Sequence, residues 1–156
     1  MKVNEWFKKW SLTSLKINAQ FLEVELNFQV ADKKAAWELY VELLTRITTQ
    51  PLPSEDGDEE TALKSVFSLF GITREILKKY GTESIEFAKI AIIILNQIVR
   101  PFTAKWHKLS LKSAFDDKER CLEFRKDLEM IQGSLKKYAK MLSEIAEVED
   151  ITELQD

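Results

Sequence analysis

The sequence predicts a mainly α-helical fold, a bundle of about four helices with a small N-terminal β-hairpin. Glycine and proline are scarce, at four and three among 156 residues, although turns between strands usually require them. Long stretches carry apolar residues at spacings of three and four, which is typical of amphipathic helices. The composition, 45% hydrophobic and 31% charged, is that of a globular protein. We therefore expect one domain over residues 1–156.

Residues 1–30 are predicted to form a short helix followed by the hairpin. The segment "EWFKKW" places Trp6 and Trp10 on the same side of a helix. Apolar and polar residues then alternate strictly over residues 22–28, which indicates a half-buried strand. The expected partner strand lies at residues 15–17, where two apolar side chains alternate with a lysine.

The helical bundle is expected over residues 31–147. Its first helix is predicted to begin at a cap from Asp32 and to end near Thr49, because a proline follows shortly after. The acidic segment "PLPSEDGDEE" then forms a linker. Its Asp56 and Asp58 have a spacing found in calcium loops, but the rest of the pattern is missing. We expect a solvated linker in which Asp58 caps the next helix.

The second long helix is predicted to end at Tyr80, with Gly81 as its C-terminal glycine. The third extends over residues 83–99 and is apolar almost all round, as expected for the centre of a bundle or for a helix covered by a partner chain. Pro101 is predicted to kink or end this helix, because its ring disrupts helical hydrogen bonding.

The last long helix is predicted from Asp116 or Asp117 to Ala146. Its apolar stripe repeats with gaps of three and four from Cys121 to Ile145, which suits a left-handed bundle or a coiled coil with a second copy. Residues 148–156 form an acidic tail. The apolar surface of the last two long helices leads us to expect self-association.

Composition argues against several classes of function. The net charge of −3 disfavours a general affinity for nucleic acid. The single cysteine cannot form an internal disulfide, and no apolar signal segment follows the start, so the cytoplasm is the expected compartment. The longest apolar run, residues 90–95, is too short to cross a membrane, which takes about 20 residues. One histidine and one cysteine cannot form a zinc site of the usual kind, and we expect no metal or cofactor.

The segment "NQIVRPFTAKWHKLS" is the strongest candidate for a functional site, because cations and aromatic rings alternate within it. Tryptophan and arginine dominate protein-interface hot spots, and the same mixture also suits single-stranded nucleic acid. The acidic chain favours a protein partner. We predict a binding surface formed by Arg100, Phe102, Trp106 and His107, with Trp6 and Trp10 as a second patch.

Arg100 and His107 stand seven residues apart, which places them on one face if the helix continues through Pro101. The stretch "RPFTAKWH" resembles the Arg-then-His motif of HEPN-type ribonucleases. The resemblance implies metal-independent RNA cleavage in a cleft between two copies, with His107 as acid/base and Arg100 steadying the phosphate. In the structural alternative, Arg100 caps the carbonyls of a helix end.

We favour a non-catalytic interaction module that docks to another protein or to itself. The ribonuclease is the first alternative. A nucleic-acid-binding accessory protein is the second.

Overall fold

The computed structural model describes residues 1–54 and 58–154 and confirms the mainly helical class. Residues 55–57, which include Asp56 of the calcium alternative, and the last two residues of the acidic tail lie outside the described residues. Short 3-10 turns lie at Gly81–Ser84 and Ala114–Asp116. The α-helices are α1 (Val3–Lys9), α2 (Ala19–Leu22), α3 (Val30–Leu44), α4 (Glu59–Tyr80), α5 (Ile85–Ile94), α6 (Arg100–Ser110) and α7 (Lys118–Ala146).

The core forms around α7, which packs most extensively against α3. The predicted stripe of α7 is buried from Phe124 to Ile145, while Cys121 at its start is half-buried. This heptad-like seam is therefore covered by helices of the same chain. The seam leaves no apolar surplus for a coiled coil with a second copy.

Three predicted helix ends are confirmed. The carboxylate of Asp58 accepts a hydrogen bond from the backbone N–H of Thr61 at 3.1 Å and caps α4. That of Asp117 accepts from the N–H of Glu119 at 3.0 Å and caps α7. Gly81 ends α4 with φ of +65°, a conformation in which a side chain would be strained.

The predicted cap at Asp32 is wrong, because α3 begins two residues earlier, at Val30. Asp32 lies in the first turn and is fully buried. Its carboxylate accepts hydrogen bonds from the backbone N–H of Gln29 at 2.7 Å and from that of Phe87 at 2.8 Å. Asp32 therefore joins the start of α3 to the start of α5.

The end of α3 also differs from the prediction, since the helix stops at Leu44 instead of Thr49. The hydroxyls of Thr48 and Thr49 both donate to the carbonyl of Leu43, at 2.7 Å each. Side-chain donors thus replace the backbone N–H that would have continued the helix.

Pro101 was predicted to kink or end the third helix; the irregularity found there is a π-helical turn at Leu95–Val99, which ends two residues before Pro101. The N–H of Arg100 donates to the carbonyl of Leu95, five residues back. Pro101 then stands in the first turn of α6, just after the π turn. Proline therefore does not end the third helix, which continues through the π turn into α6.

The predicted N-terminal hairpin is wrong, since the described residues contain no β-strands. Residues 15–17 do not form a strand, because the side chain of Gln97 holds the backbone of Lys16. The N–H of Lys16 donates to Oε1 of Gln97 at 2.7 Å, and the amide of Gln97 donates back to the carbonyl of Lys16. The next residues form α2, which is capped by Asn18.

The alternating segment after α2 is extended, but it pairs with the N-terminus of the chain. The N–H of Val3 donates to the carbonyl of Val24 at 3.1 Å, and the N–H of Leu26 donates to the carbonyl of Met1 at 3.0 Å. This contact amounts to a single antiparallel bridge. Leu26 faces inward and is buried, as the alternation predicts.

The acidic tail, as far as residue 154, folds back onto α3. The backbone N–H of Ile151 donates to the hydroxyl of Tyr40 at 2.7 Å. That hydroxyl in turn donates to the carboxylate of Asp150 at 3.1 Å. Thr152 donates to the same carboxylate through both its backbone N–H and its hydroxyl. The tail is thus a docked segment held by Tyr40.

One stretch within the helical run Glu59–Ser110 is long and apolar enough to cross a membrane, judged by length and composition alone. In this fold, 44% of that window is buried. Core helices of globular proteins meet the same criterion.

Candidate functional site

The segment from Arg100 to His107 does not present its aromatic rings to solvent. Trp106 is fully buried and Phe102 is 8% exposed. Both rings pack against Phe124 of α7, with centroid distances of 5.2 and 5.6 Å. The prediction that these rings form an outward-facing surface is therefore wrong, because they belong to the core between α6 and α7.

Polar contacts at the edge of the aromatic rings of Phe102, Trp106 and Phe124 also hold α6 against α7. The indole N–H of Trp106 donates to Asp127 at 3.0 Å. The ammonium of Lys105 donates to the same carboxylate at 2.7 Å and to Glu123 at 3.1 Å. The hydrogen bond to Asp127 is the main cause of a raised pKa of Lys105. Lys105, one of the cations of the predicted binding segment, is therefore paired with two carboxylates of α7.

Arg100 and His107 are both exposed, but they have different neighbours. The guanidinium of Arg100 donates twice to the side-chain oxygen of Asn96, at 3.1 Å each, and lies 4.5 Å from the ring centroid of Phe70. His107 lies two turns further along, at a rise of about 10 Å. Within one chain, the imidazole and the guanidinium are not brought together.

The second predicted patch lies at the other end of the molecule. Trp6 is 6% exposed and packs edge-on against Phe28, with centroids 5.4 Å apart. Trp10 is half-buried under Lys9, whose ammonium lies 5.6 Å from its ring centroid and pairs with Glu144 at 2.6 Å. These tryptophans cover the end of the bundle and offer little area to a partner.

Among the apolar side chains that the described residues expose, three lie together between α3 and α4. Trp37 and Val41, one turn apart on α3, are 46% and 40% exposed, and Phe67 on α4 is 57% exposed. All three face one concave surface with a volume of about 760 Å³. We call this surface the α3–α4 groove; it is lined chiefly by Trp37, Val41, Phe67, Gly71 and Ile72.

A second groove, of about 500 Å³, lies between α4 and α6, and its lining includes Leu63, Thr103, His107 and Leu111. Phe67 lines both grooves. Its ring is therefore a ridge with a hollow on either side.

Four charged residues line the α3–α4 groove, and two of them, Glu38 and Glu42, are paired within the chain. Burial opposes ionisation of Glu38, but hydrogen bonds from Lys79 and Tyr80 lower its pKa. Glu42 pairs with Arg46 at 2.8 Å.

Arg74 and Glu75 also line the groove. Both are exposed, and neither side chain makes a hydrogen bond or ion pair with another residue in the described part of the chain. The rim therefore presents one open positive and one open negative charge side by side.

The sequence contained a signal for this groove. Trp37 and Val41 are apolar residues spaced by four, and they lie outside the stripe of α3 that covers the core. On α4, Phe67 widens the apolar stripe beyond the face that neighbouring helices cover, since Leu63, Val66 and Phe70 are buried around it. Apolar residues beside a complete core stripe indicate an exposed apolar face.

The remaining chemistry of the described residues is sparse. No group of three His, Cys, Asp or Glu side chains within residues 1–54 and 58–154 is placed to hold a metal ion. The thiol of Cys121 donates to the carbonyl of Phe115 at 3.2 Å, and burial is the main cause of its raised pKa. Such a thiol is a poor nucleophile.

Comparison with protein-family models, curated proteins and solved structures finds no match to this chain.

Proposed function

We propose that this chain is a non-catalytic cytoplasmic interaction module that docks a protein partner through the α3–α4 groove. One observation carries the proposal: Trp37, Val41 and Phe67 line a single concave surface while remaining 40–57% exposed. Contiguous exposed apolar surface on a folded domain marks interaction sites, and aromatic anchors supply most of the affinity in such sites.

The mechanism is burial of the aromatic anchors by a partner. The exposed fractions of Trp37 and Phe67 add up to about one whole aromatic side chain, or ~150–250 Å². Removing that area from water contributes ~4–6 kcal/mol before the costs of association. The charged rim then sets the orientation of the partner more than the affinity.

The α3–α4 groove thus replaces the surface predicted around Trp106 as the docking site. His107, which was predicted to belong to that surface, lines the second groove beside Phe67. Phe102 and Trp106 support the surface from below by fixing α6 against α7.

The proposal can be tested without knowing the partner. Replacing Phe67 with photoreactive p-benzoylphenylalanine places the cross-linker at the ridge of the groove. A matched control carries it at Leu122 of α7, which is 63% exposed and lines neither groove. We expect discrete cross-linked products in cells from position 67 and none from position 122. Equal patterns at both positions, or none at either, would contradict the proposal.

The metal-independent ribonuclease is a second candidate with one observation in its favour. Arg100 and His107 are both exposed on a helical run that continues through Pro101. Incubation of the protein with structured RNA and EDTA tests it. Cleavage that is lost in His107→Ala would support the ribonuclease over the interaction module.

A nucleic-acid accessory role is the weakest candidate, because Lys105 is occupied by two carboxylates. That role predicts RNA or DNA binding that weakens steeply with salt.

A further inference from the structure

We infer that the occupant of the α3–α4 groove is a second copy of this chain, related by a two-fold axis, with Phe67 of each copy seated in the groove of the other beside Gly71. The inference rests on the proposed function, since it names the partner of the same groove. Three features of the groove support it: its shape, its charges and its size.

The shape is self-complementary. A two-fold interface uses the same patch on both subunits, so a protruding group must lie beside a hollow that accepts its own counterpart. Phe67 protrudes, at 57% exposed. Gly71 lies one helical turn further on, on the same face of α4, and a Cβ built there meets nothing within 4 Å. The ridge and the hollow are thus adjacent on one helix.

The charges are also self-complementary. Glu38 and Glu42 are paired in the chain with Lys79 and Arg46, so the rim has no strong net sign that would select a basic or an acidic partner.

The open charges are Arg74 and Glu75, one of each sign at neighbouring positions of α4. An occupant that carries both signs of charge at its own rim, as a second copy of this chain does, can match both residues. A partner that carries a single sign of charge would leave one of them unmatched.

The size fits a modest dimer. A stable interface buries ~800 Å² on each partner, and the exposed parts of Trp37 and Phe67 supply roughly a quarter of it as an apolar centre. The paired and open charges of the rim surround that centre, which is the usual arrangement of an interface. We expect dissociation constants on the order of micromolar, the weak end for interfaces of this area.

Sedimentation equilibrium of the full chain tests the inference. The wild-type mass should rise with concentration from 18.2 kDa to twice that value. Phe67→Gln removes the ridge, and Gly71→Gln fills the hollow; each should raise the dissociation constant about tenfold or more, as loss of a central contact does. Gly133→Gln is the matched control, because Gly133 is a helical glycine of α7, exposed and with open space around it.

Gly71→Gln also separates docking from folding. Glutamine is a better helix former than glycine, and the space at Gly71 is open. Measured at a concentration where all proteins are monomeric, this variant should melt at or above the wild-type temperature while it dimerises less. A variant that dimerises less only because it is unfolded would melt lower.

A mass of 18.2 kDa at every concentration would overturn the inference, as would a dimer that is indifferent to both Phe67→Gln and Gly71→Gln. In either case, cross-linking from position 67 to a different protein would leave the proposed function standing. Absence of every product at that position would remove both.

Discussion

Replacing Trp106 by alanine removes the largest of the fully buried side chains. A buried aromatic side chain of this class takes ~150–250 Å² out of water, which at ~25 cal/mol per Å² amounts to ~4–6 kcal/mol. Core substitutions of tryptophan or phenylalanine by alanine cost ~3–5 kcal/mol. We therefore expect Trp106→Ala to lower the free energy of unfolding by about 4 kcal/mol, a large share of the ~5–15 kcal/mol that stabilises a typical domain.

Urea unfolding followed by far-ultraviolet circular dichroism measures this loss, at protein concentrations where the chain is monomeric. Trp37→Ala is the matched control, because Trp37 is 46% exposed at the groove. It should cost about 2 kcal/mol, because only about half of its side chain is removed from water, yet it should weaken dimerisation. A loss below about 1 kcal/mol for Trp106→Ala would refute the buried position and return Trp106 to the surface that the sequence predicted.

Three further predictions follow from buried or docked groups. Asp32→Ala should lower the free energy of unfolding by about 2–4 kcal/mol, because the buried N–H of Phe87 and that of Gln29 lose their acceptor; a urea midpoint close to wild type would contradict this. Burial opposes ionisation of Asp150, but hydrogen bonds from Thr152 and Tyr40 lower its pKa. Because this pKa is lowered, the ionised carboxylate stabilises the docked tail at pH values above the ordinary carboxyl pKa. That contribution is lost as the pH falls through the lowered pKa. In an NMR titration, the tail amides should therefore shift with a midpoint below the ordinary carboxyl pKa of 3.8, and a midpoint at or above that value would count against the docked tail. The thiol of Cys121 should react with iodoacetamide more slowly at pH 8 than a cysteine in a short peptide, because burial raises its pKa; equal rates would show an accessible thiolate.

Much of the fold follows from local signals. Asp58, Asp117 and Gly81 act within four residues of their own positions, so their roles at helix ends could be predicted from the sequence. The stripe of α7 is long enough for its periodicity to define a buried face unambiguously.

The hairpin prediction failed because pairing depends on distant residues. The alternation over residues 22–28 correctly predicts which side chains turn inward, such as Leu26. It says nothing about the partner, which is the N-terminus of the chain. Gln97, eighty-one positions away, binds the backbone of Lys16 and removes the expected strand.

The site prediction failed because of the π turn. A continuous α-helical stripe through Phe87 and Ile94 would continue to Pro101 and Lys105. The π turn at Leu95–Val99 places one extra residue in the helix, which advances the buried face by about 100°. Phe102 and Trp106 thereby rotate into the core and Lys105 to its edge. No residue in the segment indicates the π turn in advance. The face of α6 that is buried could therefore not be predicted from the periodicity of the sequence.

Fluorine NMR of the chain labelled with 5-fluorotryptophan tests the central claim most directly, because its four tryptophans report on the groove, the α6–α7 core and the N-terminal patch at once. We predict that the Trp37 resonance shifts as the concentration rises, that the Trp106 resonance stays constant, and that Phe67→Gln abolishes the shift. A constant Trp37 resonance while the mass doubles would mean that the copies meet elsewhere, and the α3–α4 groove would lose its assigned role.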